Sequence, residues 1–187
     1  MPRSRRLKLP ALRLLVLDVD GVMTDGRVHL DADGREHKVF NVRDGTGLSL
    51  WRKLGFEAAL ISGRDSQAVV HRARELRIEH VIQGSIDKYT SLMEVSGRTG
   101  VDPSAMAAMG DDLADLPMLR AVGFSLAPAD AVPEVRAIAS HVTAAPGGHG
   151  AVREAIEYLL RGLGRWQEAA ALYDSTTAAP RGGRSRR

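Results

Sequence analysis

The feature that most constrains this chain is an alternation of short apolar runs with longer amphipathic segments. Leu14-Leu15-Val16-Leu17 is continuous enough for a strand buried on both faces, and further runs fall at 58–61, 80–82, 105–109, 124–127 and 141–142. Helical periodicity occupies the intervals at 45–54, 66–76, 87–99, 113–121, 131–138 and 150–162. Each crossover has the length that a right-handed strand-helix-strand unit needs. The pattern predicts an α/β fold of Rossmann-like type, three layers deep, with a central parallel sheet covered on both faces.

One segment breaks the alternation. Residues 27–41 read as a hairpin, with Val28 and Leu30 before the turn Asp31-Ala32-Asp33-Gly34 and Val39-Phe40 after it. An antiparallel pair does not fit easily into a parallel sheet, so the hairpin is expected to project from the edge, directly after the first strand.

At 187 residues the chain suits one domain, expected over 11–174, with a short helix at 165–173. The formal charge of +3 invites a nucleic-acid reading, but its location argues against one. Arg3, Arg5, Arg6 and Lys8 lie in 1–10, and Arg181, Arg184, Arg186 and Arg187 lie in 175–187, with no acid in either stretch. Without those eight, 18 basic residues face 23 acidic ones, so the body is net acidic. Both ends lack interleaved aromatics and are expected to be disordered, solvated arms rather than nucleic-acid ligands. No apolar run approaches the ~20 residues of a membrane span. The absence of cysteine excludes disulfides and thiolate metal sites and fits a reducing cytoplasm.

In an open parallel sheet, ligands bind at the carboxyl ends of the strands, so the residues after each strand belong together. Asp18, Asp20 and Gly21 follow the first strand, Ser62-Gly63-Arg64 the second, and Gly110-Asp111-Asp112 the 105–109 strand, while Lys88 opens a helix. Singly, each has an ordinary explanation: an Asx turn, a helix cap, an exposed lysine. Jointly they describe a phosphoryl site. Several carboxylates at one sheet edge repel one another and call for a hard divalent cation, and magnesium suits two or three oxygen ligands with room for phosphate. Lys88 and Ser62 supply charge and a directed donor for the phosphoryl oxygens. Asp18, at the end of the buried strand, is the candidate nucleophile, and Asp20 the candidate general acid and base. His29, His37, His71, His80 and His141 have no ligand-like spacing, while His149 sits in a glycine-rich loop.

Asp18-Val19-Asp20-Gly21-Val22-Met23-Thr24-Asp25-Gly26, Ser62-Gly63-Arg64, Lys88 and Gly110-Asp111-Asp112 resemble the four motifs of the haloacid dehalogenase superfamily of phosphatases. Phe40-Asn41-Val42-Arg43-Asp44-Gly45 and Gly147-Gly148-His149-Gly150-Ala151-Val152-Arg153-Glu154 further resemble its capless 3-deoxy-D-manno-octulosonate 8-phosphate phosphatase subfamily, over about residues 12–173. The resemblance implies a fold without a large cap domain and hydrolysis of that sugar phosphate toward lipopolysaccharide. It implies magnesium held by Asp18, Asp111 and the backbone carbonyl of Asp20, with Asp112 and Asp115 supporting them. Substrate contacts are implied at Asn41, Val42, Arg43, Asp44, Gly45, Arg64, Arg72 and Lys88. It also implies a homotetramer, in which the hairpin packs on its copies and a neighbouring subunit closes each site. Two positions depart from the pattern: Ser49 and His149 stand where many members carry arginine, which removes two cations expected to meet the sugar carboxylate.

Three alternatives compete with this reading. A phosphatase for a nine-carbon sialic-acid-type 9-phosphate shares the motifs. A phosphorylatable receiver module also gathers aspartates, a hydroxyl and a lysine, but places its adjacent acidic pair on the first strand. A catalytically silent scaffold leaves the full catalytic set unexplained.

Overall fold

The structure is a computed structural model that describes residues 9–174; the expected arms at 1–10 and 175–187 fall outside them, apart from Leu9 and Pro10. Six parallel strands form the central sheet: β1 (Leu14–Leu17), β4 (Glu57–Ile61), β5 (His80–Ile82), β6 (Met106–Met109), β7 (Phe124–Ala127) and β8 (His141–Val142). Their order is β5-β4-β1-β6-β7-β8, so the chain builds outward from β1 on one side and then restarts on the other. Strand order therefore reverses beside β1, and that is where a crevice opens at the strands' carboxyl ends.

The period-2 geometry of β1 divides the interior. Leu15 and Leu17 join one apolar cluster with Leu48 and Trp51 of α1 (Val42–Lys53), Val69 of α2 (Gln67–Leu76), Ile156 of α6 (Ala151–Gly162) and Ala169 of α7 (Trp166–Asp174). Leu14 and Val16 join the other, with Leu92 of α3 (Lys88–Thr99), Met118 of α4 (Leu116–Ala121) and Val135 of α5 (Pro133–Ile138). These are the three expected layers.

Three boundaries differ from expectation, each for a local reason. Helix α1 begins at Val42 rather than 45 because Asn41 caps it, its side-chain oxygen accepting from Arg43 N at 2.8 Å. The 113–121 helix divides into a 3-10 turn, Leu113–Asp115, and α4, since Asp112 and Asp115 form a capping box and Pro117 suits the new first turn. The hairpin is present, but its strands β2 (His29–Leu30) and β3 (Glu36–His37) pair His29 with His37 and Leu30 with Glu36. Val39-Phe40 therefore lies beyond the ladder instead of in it. Among the described residues, only this hairpin separates β1 from α1, and no helix is long and apolar enough to cross a membrane.

Candidate active site

β1 ends at Leu17, and Asp18 N still donates to Met109 O at 3.0 Å, so Asp18 is fixed by the ladder to β6. Its side chain is buried and turned toward Lys88, the first residue of α3. Asp87 caps that helix by accepting from Tyr89 N and Thr90 N at 3.0 and 3.3 Å, which sets the direction in which Lys88 leaves it. Lys88 Nζ donates to Asp18 Oδ1 at 2.5 Å and to Asp115 Oδ1, with only 7% of its side chain exposed. Burial works against the ammonium, but the Asp18 and Asp115 charges outweigh it and raise its pKa above the ordinary value.

Asp115 Oδ2 accepts from Asp111 N and Asp112 N at 2.9 and 3.1 Å, while Oδ1 faces Lys88. Both oxygens are thus engaged, Oδ2 in holding the turn after β6 and Oδ1 with Lys88. Carboxylate oxygens of Asp18, Asp111 and Asp115 lie within 4.8 Å of one another, a group able to hold a metal ion. Burial first, then the neighbouring Asp18 and Asp115 charges, push Asp111 up to about 8, and burial pushes Asp18 up to about 7 against the opposing charge of Lys88. Among the described residues no donor reaches the Asp111 carboxylate. Crowded, dehydrated oxygen donors of this kind fit a hard divalent cation, which relieves their repulsion. Gly21 adds a second mark of fit: its φ is +93°, and a Cβ there would stand 2.1 Å from Asp111 Oδ2. Only glycine lets the backbone after Asp20 approach that carboxylate so closely.

Asp20 itself stands apart from the three-carboxylate group. Its Oδ1 accepts from Lys38 Nζ in the hairpin, and its Oδ2 is enclosed without a partner among the described residues. A role for Asp20 in metal binding therefore falls to its backbone, leaving the carboxyl for other chemistry. Ser62 is buried at the end of β4, where its hydroxyl accepts from Arg64 N at 3.1 Å and donates to Arg64 O at 3.0 Å. Asp112 is exposed and serves as the cap described above.

The residues expected to touch substrate divide into two layers. Val42 and Arg43 are exposed, and Asn41 Nδ2 donates to Gly148 O at 3.2 Å, tying their loop to the glycine-rich one. Gly147 packs so tightly there that a Cβ would meet Gly21 O at 1.8 Å. Asp44 and Gly45 are buried beneath. Asp44 Oδ1 accepts from Arg153 N at 2.7 Å, capping α6 from a neighbouring helix, and burial raises its pKa despite that bond. Arg72 lies under Gly45, donating to Asn41 O at 3.3 Å and to Glu75 at 2.8 Å, with its guanidinium 5.6 Å from the centre of the Phe40 ring. Arg64 is half exposed and donates to Glu36 Oε1 at 2.8 Å. His149 is exposed and lines a cleft of about 440 Å³ with Arg43 and Arg153. Ser49 lines a different cleft, with Arg52, Lys53, Glu75, Leu76 and Arg77, formed by the C-terminal turns of α1 and α2 rather than by the strand ends.

Sequence reasoning did not single out Lys38 or Glu36, which the structure brings to Asp20 and Arg64. A signal was present: Glu36, Lys38 and Phe40 alternate with Arg35, His37 and Val39, so one face of that strand carries two charges and a ring.

Comparison with known proteins agrees with this geometry. The profile of the haloacid dehalogenase-like hydrolases matches residues 65–156. The 3-deoxy-D-manno-octulosonate 8-phosphate phosphatase of Escherichia coli K12 is 41% identical over 162 residues, 87% of this chain and 86% of that protein. The crystal structure of the Moraxella catarrhalis 3-deoxy-D-manno-octulosonate 8-phosphate phosphatase, in complex with magnesium, phosphate and KDO, aligns with a TM-score of 0.85. Its identity is 37%, with 88% of this chain and 94% of that one covered. A cobalt-bound form of the Haemophilus influenzae phosphatase aligns with a TM-score of 0.82 at 35% identity, covering 86% and 97%. An acidic, magnesium-suited centre at the strand ends, on a sheet shared with these enzymes, places the chain among the haloacid dehalogenase-like hydrolases, in the family of the 3-deoxy-D-manno-octulosonate 8-phosphate phosphatases.

Proposed function

We propose that this enzyme hydrolyses 3-deoxy-D-manno-octulosonate 8-phosphate to the free sugar acid and inorganic phosphate, through an aspartyl phosphate on Asp18. The observation that carries the reading is the placement of Lys88 between Asp18 and Asp115, with Asp111 facing them, at the point where strand order reverses. Asp18, Asp111 and the Asp20 backbone carbonyl would hold a magnesium ion, which would supply charge neutralisation for the phosphoryl group. Asp18 attacks phosphorus, and its new bond forms as the ester P–O bond to the sugar breaks. Asp20 gives a proton to the departing alkoxide, then takes one from the water that attacks the acyl phosphate, releasing phosphate and restoring Asp18. Lys88 and Ser62 hold the equatorial oxygens. Asn41, Val42, Arg43 and Arg64 face the sugar, with Asp44, Gly45 and Arg72 supporting them from below, and Asp112 and Asp115 fix the turn that carries Asp111.

The hairpin supports an assembly of copies of this chain. Val28, Leu30 and Val39 are 50%, 62% and 69% exposed on one small element, which favours a homotetramer formed by hairpins packing on their copies. A cysteine-free chain suits a reducing compartment, and we place the reaction in the cytoplasm. Phosphate release from eight- and nine-carbon keto-acid phosphates, with and without magnesium, tests the substrate. The eight-carbon ester is expected to be turned over fastest, and a faster nine-carbon ester overturns the assignment. Asp18→Asn is expected to abolish turnover; near-normal activity in that variant removes the aspartyl-phosphate mechanism. Leu30→Glu is expected to lower the mass seen by analytical ultracentrifugation, and an unchanged mass counts against the hairpin assembly.

A further inference from the structure

The hairpin is built inside out. Its apolar side chains Val28, Leu30 and Val39 face outward, while Lys38, a residue type rarely buried, has only 2% of its side chain exposed. A dehydrated ammonium persists only where anions receive it. Lys38 Nζ donates to Asp20 Oδ1 and lies 3.3 Å from Glu36 Oε1, which in turn accepts from Arg64 Nη2 at 2.8 Å. A continuous chain of charges therefore runs from the loop after β1, across the hairpin, to the loop after β4.

This network fixes the Asp20 carboxyl asymmetrically. Oδ1 is held by the ammonium, while Oδ2 has no partner among the described residues. A carboxyl anchored through one oxygen keeps the other in a set direction, as a group that must meet a proton at a defined position requires. The Asp20 carboxyl so held is not part of the Asp18, Asp111 and Asp115 group. Enclosed between Asp20 and Glu36, Lys38 acts through Asp20 rather than on substrate.

We infer that Lys38 is a positioning residue for the general acid and base, and that Glu36 in turn holds Lys38. The inference rests on the acid-base role of Asp20 proposed above. Lys38→Met, Lys38→Arg, Asp20→Asn and the double variant are compared in steady-state and single-turnover phosphate release with the sugar phosphate. Lys38→Met is expected to lower kcat about 100-fold, the order of loss that accompanies a misplaced catalytic group, while KM moves less than about threefold. Lys38→Arg, which retains the charge, is expected to recover part of the loss. The double variant is expected to be no slower than Asp20→Asn alone, because a positioning residue has nothing left to position.

The outcomes separate the two claims. If Asp20→Asn keeps its activity, the acid-base reading falls and the inference falls with it. If Asp20→Asn collapses while Lys38→Met retains kcat, or while the Lys38 loss multiplies onto that of Asp20→Asn, the role of Lys38 is overturned and that of Asp20 stands. Should Lys38→Met fail to fold, Glu36→Gln leaves the ammonium in place but releases its far side. It is then expected to show a smaller drop in kcat that also vanishes in the Asp20→Asn background, and an undiminished kcat in Glu36→Gln overturns the network.

Discussion

Replacing Lys88 with methionine tests the electrostatic core of the site. The side chains of Lys88, Asp18 and Asp115 are 7%, 5% and 1% exposed, so the substitution strands two buried carboxylates while keeping the packed volume. Removing one partner of a buried ion pair costs about 3–5 kcal/mol. For a chain of this length each kcal/mol moves Tm by about 2–4 °C, giving a fall of roughly 6–20 °C.

The loss has a defined pH dependence. Asp18 and Asp111 are raised to about 7 and about 8 from the ordinary carboxylate range, so the folded protein binds protons more tightly than the unfolded chain. Stability of the magnesium-free protein must then decline as pH rises through these values. Lys88 opposes the rise at both groups, so its removal is felt most near pH 8 and least near pH 5, where the acids are neutral. Thermal unfolding, followed through the buried Trp51 at fixed protein concentration without divalent ions, provides the assay. Magnesium is expected to restore part of the stability but not turnover, which falls at least ~100-fold with the loss of a preorganised cation. A Lys88→Met protein that melts within about 2 °C of the parent at pH 8, or whose deficit is largest at pH 5, refutes the reasoning.

Three further outcomes follow from the same geometry. Because protons and magnesium compete for Asp18 and Asp111, the magnesium concentration for half-maximal activity is expected to rise at least tenfold from pH 8 to pH 6, as an activity titration would read. Gly21→Ala places a Cβ 2.1 Å from Asp111 Oδ2 on a backbone with φ +93°, so the thermal shift produced by magnesium is expected to disappear, while the strain itself costs only about 1 kcal/mol. Asp44→Ala uncaps α6 and is expected to cost about 1–3 kcal/mol in denaturant unfolding, whereas Asp44→Asn, which keeps an acceptor for Arg153 N, costs less than half as much.

Much of the site was legible because a parallel sheet delivers its strand ends to one edge. Asp18, Ser62 and Asp111 follow β1, β4 and β6, and that adjacency follows from the alternation of elements alone. Lys88 was legible through its place at the start of α3. What stayed hidden depends on side-chain direction. Nothing in the spacing of Asp115 reveals that it receives two backbone N–H groups and Lys88 together. Arg72 is implied by resemblance as a substrate contact, but its place beneath the loop is not legible, since only the missing Cβ of Gly45 makes room for its guanidinium there. Lys38 escaped notice because charged hairpin residues usually face water, and here the apolar ones do.

The position of the side chains also changes what the departures at Ser49 and His149 mean. Both had been expected to remove a cation from the sugar carboxylate. Ser49 lines the cleft between the C-terminal turns of α1 and α2, beside Arg52, Lys53 and Arg77, rather than the strand ends that carry Asp18. His149 stands beside Arg43 and Arg153, in a cleft that Glu154 and Glu157 also line. Beneath that cleft, Arg72 donates to Asn41 O and Asp44 caps α6, holding the Asn41–Arg43 segment in place through hydrogen bonds that involve neither departed position. A segment held in place before binding lowers the ordering cost that recognition of a ligand there would carry.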